Sequence, residues 1–180
     1  NEEGFTLADR FSELVKSTEL FDVLVGYFYS SGFHTIYPAL EETGQIRILI
    51  GISTSRETLN LISQGNQEIQ GDETINDSQV EELVGERIEA EMADSEDTKI
   101  VSSGVQKCIE WISSGKLIIK AYPSQNIHAK LYIMTFKEGD RDKGRVITGS
   151  SNFTRSGLMG NLEFNVELKD RSDYDFAKKK

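Results

Sequence analysis

Asp22 to Tyr29 reads Asp-Val-Leu-Val-Gly-Tyr-Phe-Tyr, and Gln45 to Ile52 reads Gln-Ile-Arg-Ile-Leu-Ile-Gly-Ile. Both runs are rich in β-branched and aromatic residues, the composition of strands buried on most sides. Between them, Ser31 to Glu42 predicts a short helix that ends near Gly44. A strand, a helix and a second strand, preceded by the amphipathic segment Leu7 to Lys16, specify α/β architecture.

Further along, the character changes. Asp77 to Met92 predicts a helix with a capping box in Ser78 and Glu81. Thr98 to Ser114 predicts a second, carrying Val101, Val105, Cys108, Ile109 and Ile112 on one side and stopped by Gly115. Gly65 to Asn76 is polar and glycine-punctuated and reads as a loop, so residues 56–114 form a helical insertion within one domain spanning 1–180. Strands return at Lys116 to Tyr122, Ile127 to Phe136, Gly144 to Thr148 and Leu162 to Leu168, with a charged turn at Lys137 to Lys143.

At 180 residues, with 37% hydrophobic and 28% charged side chains, the chain is long enough to bury a core and short for two domains. The lone Cys108 excludes an internal disulfide and a cysteine-rich zinc site. No apolar run approaches the roughly 20 residues of a membrane span. The N-terminal Asn-Glu-Glu-Gly lacks a signal-peptide pattern, so a cytoplasmic protein without membrane attachment is expected. Asn1 is not an initiator methionine, which points to a piece of a longer protein. The net charge of −10 is unevenly distributed: residues 1–100 hold 21 acidic and 6 basic side chains, residues 101–180 hold 9 and 14. An anion site is therefore to be sought in the last third of the chain.

That is where chemistry-bearing residues gather. In the strand predicted from Ile127, the period of two sets His128, Lys130, Tyr132 and Met134 on one face. In Leu162 to Leu168, the apolar set Leu162, Phe164, Val166 and Leu168 turns Glu163, Asn165 and Glu167 to the other face. Between these strands, Thr148-Gly-Ser-Ser-Asn-Phe-Thr154 follows a strand and precedes a short helix, a setting in which glycine and free N–H groups hold phosphate oxygens.

His128-Ala-Lys130, then Gly149-Ser-Ser-Asn-Phe-Thr154, then Asn161-Leu-Glu163 resembles the single His-x-Lys-motif nuclease branch of the phospholipase D superfamily. The asparagine-to-glutamate spacing of eleven, Asn152 to Glu163, agrees with that branch. Phe21 to Ile52 resembles the first half of the nuclease-like domains found beside DEAD/DEAH-type helicases, which implies a helicase-associated or restriction-type protein. The resemblance implies a mixed β-sheet flanked by helices, with two His-x-Lys motifs meeting across a two-fold axis. Because this chain has one motif, it also implies a homodimer or a second copy in another segment. By the same resemblance, His128 attacks phosphorus to form a phosphohistidine and a second histidine protonates the leaving oxygen. Lys130, Ser150 and Asn152 hold the phosphate, and Glu163 orients the imidazole. No metal or other cofactor is implied. One departure stands: the aspartate of the longer motif falls on Thr135.

Blander roles compete with several of these. His34 reads as a satisfied core or surface residue rather than a nucleophile, and Trp111 and Cys108 as packing residues. Ser150 either caps a helix beginning near Asn152 or touches phosphate, and Tyr132 either packs or lines the pocket. Arg155 and the Lys137 to Arg145 turn are candidate nucleic-acid contacts, although such charge runs are usually solvated loops. The Lys178 to Lys180 tail and the acidic Glu81 to Asp97 stretch read as solvated. The expectation is a metal-independent DNA phosphodiesterase. The alternatives are a non-catalytic nucleic-acid-binding or dimerisation module, which the absent aspartate permits, and a phospholipid phosphodiesterase. The last is disfavoured because no apolar cluster or basic amphipathic helix marks a membrane-facing surface.

Overall fold

Thr6 starts the first helix, α1 (Leu7–Leu14): its hydroxyl accepts from the Asp9 N–H at 3.1 Å, and the Asp9 carboxylate accepts from the Thr6 N–H at 2.9 Å. The helix buries Leu7, Ala8, Phe11 and Leu14 along one side, as its amphipathic spacing requires. This computed structural model describes residues 5–51 other than 27 and 29, together with 99–122 and 127–179. The helix expected at Asp77 to Met92, the loop at Gly65 to Asn76 and the acidic stretch Glu81 to Asp97 lie outside the described residues.

The described strands are β1 (Thr18–Val25), β2 (Gln45–Gly51), β3 (Leu117–Tyr122), β4 (Lys130–Phe136), β5 (Gly144–Gly149) and β6 (Asn165–Leu168). They form one sheet in the order β3-β2-β1-β4-β5-β6. β1, β2 and β3 run parallel, and β4, β5 and β6 each pair antiparallel with the preceding neighbour, so the sheet is mixed. Several boundaries differ from the sequence reading. β1 begins four residues before Asp22 and stops at Val25, beyond which the Gly26 N–H donates to the Ala129 carbonyl at 3.1 Å, and β6 begins at Asn165, not Leu162. The helix expected over Ser31 to Glu42 divides into α2 (Ser30–Ile36) and a 3₁₀ turn (Tyr37–Glu42), since Pro38 disfavours α geometry at Tyr37 and lacks an N–H. β4 starts at Lys130, not Ile127.

Helices cover both faces. On one, α1, α2 and α3 (Lys99–Ser113) enclose a core built on Phe11, Phe21, Phe33, Trp111, Tyr132 and Phe153. Cys108 and Trp111 pack there as expected, and burial pushes the Cys108 thiol up to about 12. Each such aromatic or aliphatic side chain contributes roughly 1.5–3 kcal/mol through burial. On the other face, α4 (Arg171–Ala177) sets Tyr174 and Ala177 against Ile133 and Val146. Lys178 is not a solvated tail residue; its ammonium bonds the Asp22 carboxylate at 2.6 Å and ties α4 to the centre of the sheet.

Asp22 also accepts from Arg47 at 2.5 Å. Burial alone would raise its pKa, but the two cations outweigh that and hold it below the usual carboxylate value. With a depressed folded pKa, its contribution to stability is complete above the ordinary carboxylate value and is lost as pH falls through the folded one. Urea unfolding of Asp22→Asn between neutral and acid pH is expected to show a flatter loss of stability below about pH 4 than the wild type. Superimposable acid limbs would contradict this role for the ion pairs.

Candidate functional site

β1, β2, β3 and β5 all end at the same edge of the sheet, where β4 and β6 begin: Val25 stands opposite Lys130, Thr148 opposite Leu131, and Gly149 opposite Asn165. The carboxyl edge of parallel strands in an α/β sheet is where such folds place ligands. His128 reaches this edge because two glycines allow it. A Cβ on Gly26 would stand 2.8 Å from the Ile127 carbonyl oxygen, and one on Gly51 would stand 2.5 Å from the Ile127 Cβ. The segment Ile127 to Ala129 thus lies directly on the ends of β1 and β2. It is not strand, so the alternation that placed His128 on the face of Lys130 does not extend to it. His128 is exposed and makes no hydrogen bond among the described residues.

Lys130 is only 9% exposed, yet it forms no ion pair among the described residues. Its carbonyl accepts from Thr148 Oγ1 at 2.9 Å, which locks β4 to the strand leading into the next element.

That element is the turn Gly149 to Asn152, and it is laced to the residues before β6. Ser150 N donates to the Phe164 carbonyl at 3.0 Å, Phe164 N donates to Ser150 Oγ at 3.1 Å, and the Ser150 hydroxyl donates to a Glu163 oxygen. The other Glu163 oxygen accepts from Asn161 Nδ2 at 3.2 Å. The Ser151 carbonyl accepts from the Tyr132 hydroxyl at 2.8 Å, and Asn165 Nδ2 donates to Ser151 Oγ at 2.8 Å. Asn152 is half-buried, and its Oδ1 has no hydrogen-bond partner among the described residues. Burial, and after it the nearby charge of Glu163, pushes the Tyr132 hydroxyl above its usual range, so it stays a donor.

The expected site residues therefore share one edge of the sheet, with Ser150 and Glu163 in direct contact. The Glu163 carboxylate is bound by Ser150 and Asn161 rather than by the imidazole. Ser150 does not cap a helix. The helical turn begins at Ser156, not near Asn152, and Thr154 Oγ1 accepts from Gly157 N at 3.0 Å there. Thr135 stands on the opposite face from Lys130 and Tyr132, its hydroxyl 2.8 Å from that of Tyr174. The motif's absent aspartate would thus have belonged to the α4 layer, not to the pocket.

Arg145 is tied down by Asp142 at 2.5 Å and Glu167 at 3.3 Å and is not a free nucleic-acid contact. His34 is buried against Gly104 with neither ring nitrogen bonded among the described residues, and burial lowers its pKa. Ser151 and Asn165 were missed as site residues, although the alternation of Asn165 with Glu163 signals that they share a face. Leu162, Phe164 and Val166 are 91%, 76% and 40% exposed, which overturns the expectation that no apolar cluster is exposed. Among the described residues no group of three or more histidine, cysteine, aspartate or glutamate side chains is arranged to hold a metal ion, and no helix is long and apolar enough to cross a membrane.

A family model described as cardiolipin synthase, PLD-like domain, matches residues 11–179. Among solved structures, this chain is similar to the archaeal chromatin protein TrmBL2, described for a novel mode of DNA binding, at 12% identity and a TM-score of 0.43. That alignment covers 97% of this chain and 47% of the other, so this chain spans about half of that one's length. No curated protein matches at a significant level.

Since the Cβ of an alanine at position 51 would press on the backbone beneath His128, Gly51→Ala is expected to lower unfolding free energy by about 1–3 kcal/mol in denaturant titration. Wild-type stability in that variant would show that the glycine contact does not hold the segment.

Proposed function

Because the chain belongs to the PLD-like domain family of the phospholipase D superfamily, a superfamily of phosphodiesterases, we propose that it hydrolyses phosphodiester bonds of DNA at the sheet edge carrying His128. The observation that carries this reading is Lys130: a largely buried lysine whose ammonium has no ion-pair partner among the described residues, on the strand beside the turn that carries the Ser150 hydroxyl and the Asn152 amide. DNA is favoured among phosphodiesters by the basic balance of residues 101–180 and by the eleven-residue spacing from Asn152 to Glu163.

In this mechanism the His128 nitrogen forms a bond to phosphorus while the bond to the leaving oxygen breaks, and a second imidazole supplies that oxygen's proton. Water then attacks the phosphohistidine, the same second imidazole takes its proton, and the N–P bond breaks. Lys130, Ser150 and Asn152 stabilise charge on the non-bridging oxygens, and loss of one such donor costs on the order of 3 kcal/mol of barrier. Glu163 reaches the imidazole once the Ser150 hydroxyl turns to phosphate. No step requires a metal ion. In a chelator, wild type is expected to cut DNA and an activated aryl phosphodiester, and His128→Ala to cut neither while keeping its fold. An inactive, folded wild type would sink this reading.

The second imidazole comes from a second copy. Leu162 and Phe164, exposed just before the edge strand, and Val166 on it offer an apolar surface, and Phe164 is bonded through its backbone to Ser150, so a copy docked there reaches the site. A helicase motor domain, fused or associated, fits the same assembly. Phe164→Asp is expected to give a monomer by sedimentation and to lose turnover; a monomeric wild type with full activity would contradict the shared site. Turnover of anionic phospholipid vesicles, lost in the same variant, would instead assign that surface to a membrane and the activity to lipid.

The non-catalytic alternative keeps one supporting observation: His128 lacks an orienting partner while Glu163 is held by Ser150 and Asn161. Its original motive is weaker, because Thr135 stands outside the pocket. DNA binding without cleavage under any metal condition would favour it.

A further inference from the structure

Tyr132 is fully buried, two residues beyond Lys130 on the same face of β4. Its ring lies among Phe11, Phe21 and Phe153, with centroid separations of 4.9, 6.5 and 6.3 Å. A phenylalanine would fill that space equally, so packing accounts for the ring and leaves the hydroxyl unexplained. The hydroxyl donates to the Ser151 carbonyl at 2.8 Å, which has no other hydrogen bond among the described residues. Ser150 and Asn152 flank that carbonyl in the chain. From its other side, Asn165 holds the Ser151 side chain.

We propose that Tyr132 is a positioning residue whose hydroxyl, by gripping the Ser151 carbonyl, sets where Ser150 and Asn152 stand relative to Lys130. The inference rests on the phosphodiesterase reading and deepens it by naming what regulates the width of the anion pocket. Lys130 and Tyr132 share a strand, so their spacing is rigid. Ser150 and Asn152 share a turn clasped at its middle residue. One hydrogen bond therefore couples two elements distant in sequence, and its loss lets the turn move with respect to the ammonium. Because burial keeps the hydroxyl protonated, the grip holds across the pH range in which the protein is folded.

The test is a double-mutant cycle on an activated aryl phosphodiester, comparing wild type, Tyr132→Phe, Asn152→Ala and the double variant. Tyr132→Phe is expected to lower kcat by roughly 10²-fold, the scale of an ångström-sized misplacement, with little change in KM. The double variant is expected to lose less than the product of the two single losses, because both act through one turn while Ser150 remains. Wild-type kcat in Tyr132→Phe, or losses that multiply, would overturn the proposal even if its melting temperature falls. If Tyr132→Phe does not fold, Asn165→Ala, which unties the same turn, replaces it in the cycle with the same deciding outcomes. If wild type shows no turnover, the phosphodiesterase reading fails by itself. The positioning claim is then decided by inorganic phosphate titrated into the same variants: weaker binding in Tyr132→Phe supports it and equal affinity overturns it.

Discussion

A lysine residue nine-tenths buried, whose ammonium has no carboxylate paired to it among the described residues, is the constraint around which the site is arranged. Lysine sheds its hydration shell only when something else neutralises or solvates it. At Lys130 the surroundings offer a carbonyl-lined sheet edge and a turn carrying a hydroxyl and an amide, but no fixed negative partner among the described residues. Elsewhere buried charge is handled differently: Asp22 is matched by Arg47 and Lys178, and Glu167 by Arg10 and Arg145. The contrast separates the ion pairs that hold layers together from an ammonium that has none among the described residues.

Strand direction explains how the open cation meets its neighbours. Parallel β1, β2 and β3 and antiparallel β5 finish at the edge where β4 and β6 start. Six chain segments therefore converge there without any being long. Gly26 and Gly51 let the approach to β4 lie against the strand ends, and the hydrogen bonds between Ser150 and Phe164 close the other side. The packing beneath supports the site: Phe11 from α1 packs on Tyr132, and Phe28 stacks on Phe153 at 5.5 Å.

The second face shows why one motif position can change without touching the pocket. A strand residue five places after Lys130 faces away from it, by the period of two. Thr135 accordingly meets Tyr174 under α4, in the layer that Lys178 fastens to Asp22. The same alternation in β6 turns Asn165 to Ser151 and Glu167 to Arg10 of α1 and leaves Val166 exposed, while Leu162 and Phe164 lie exposed in the segment before the strand.

The α/β class, the strands near Asp22, Gln45, Lys116, Ile127 and Gly144, and the candidacy of His128, Lys130, Asn152 and Glu163 were legible in the chain, because periodicity and motif spacing are local properties. Boundaries were less so: Pro38 divides a helix, and the last strand begins only at Asn165. That Tyr132 grips Ser151, that Glu163 bonds Ser150, and that Phe164 is exposed were decided only by tertiary structure. Each depends on which segments meet at the sheet. Alternation along one strand names the residues that share a face, but the hydrogen-bonded register between strands determines which of them touch.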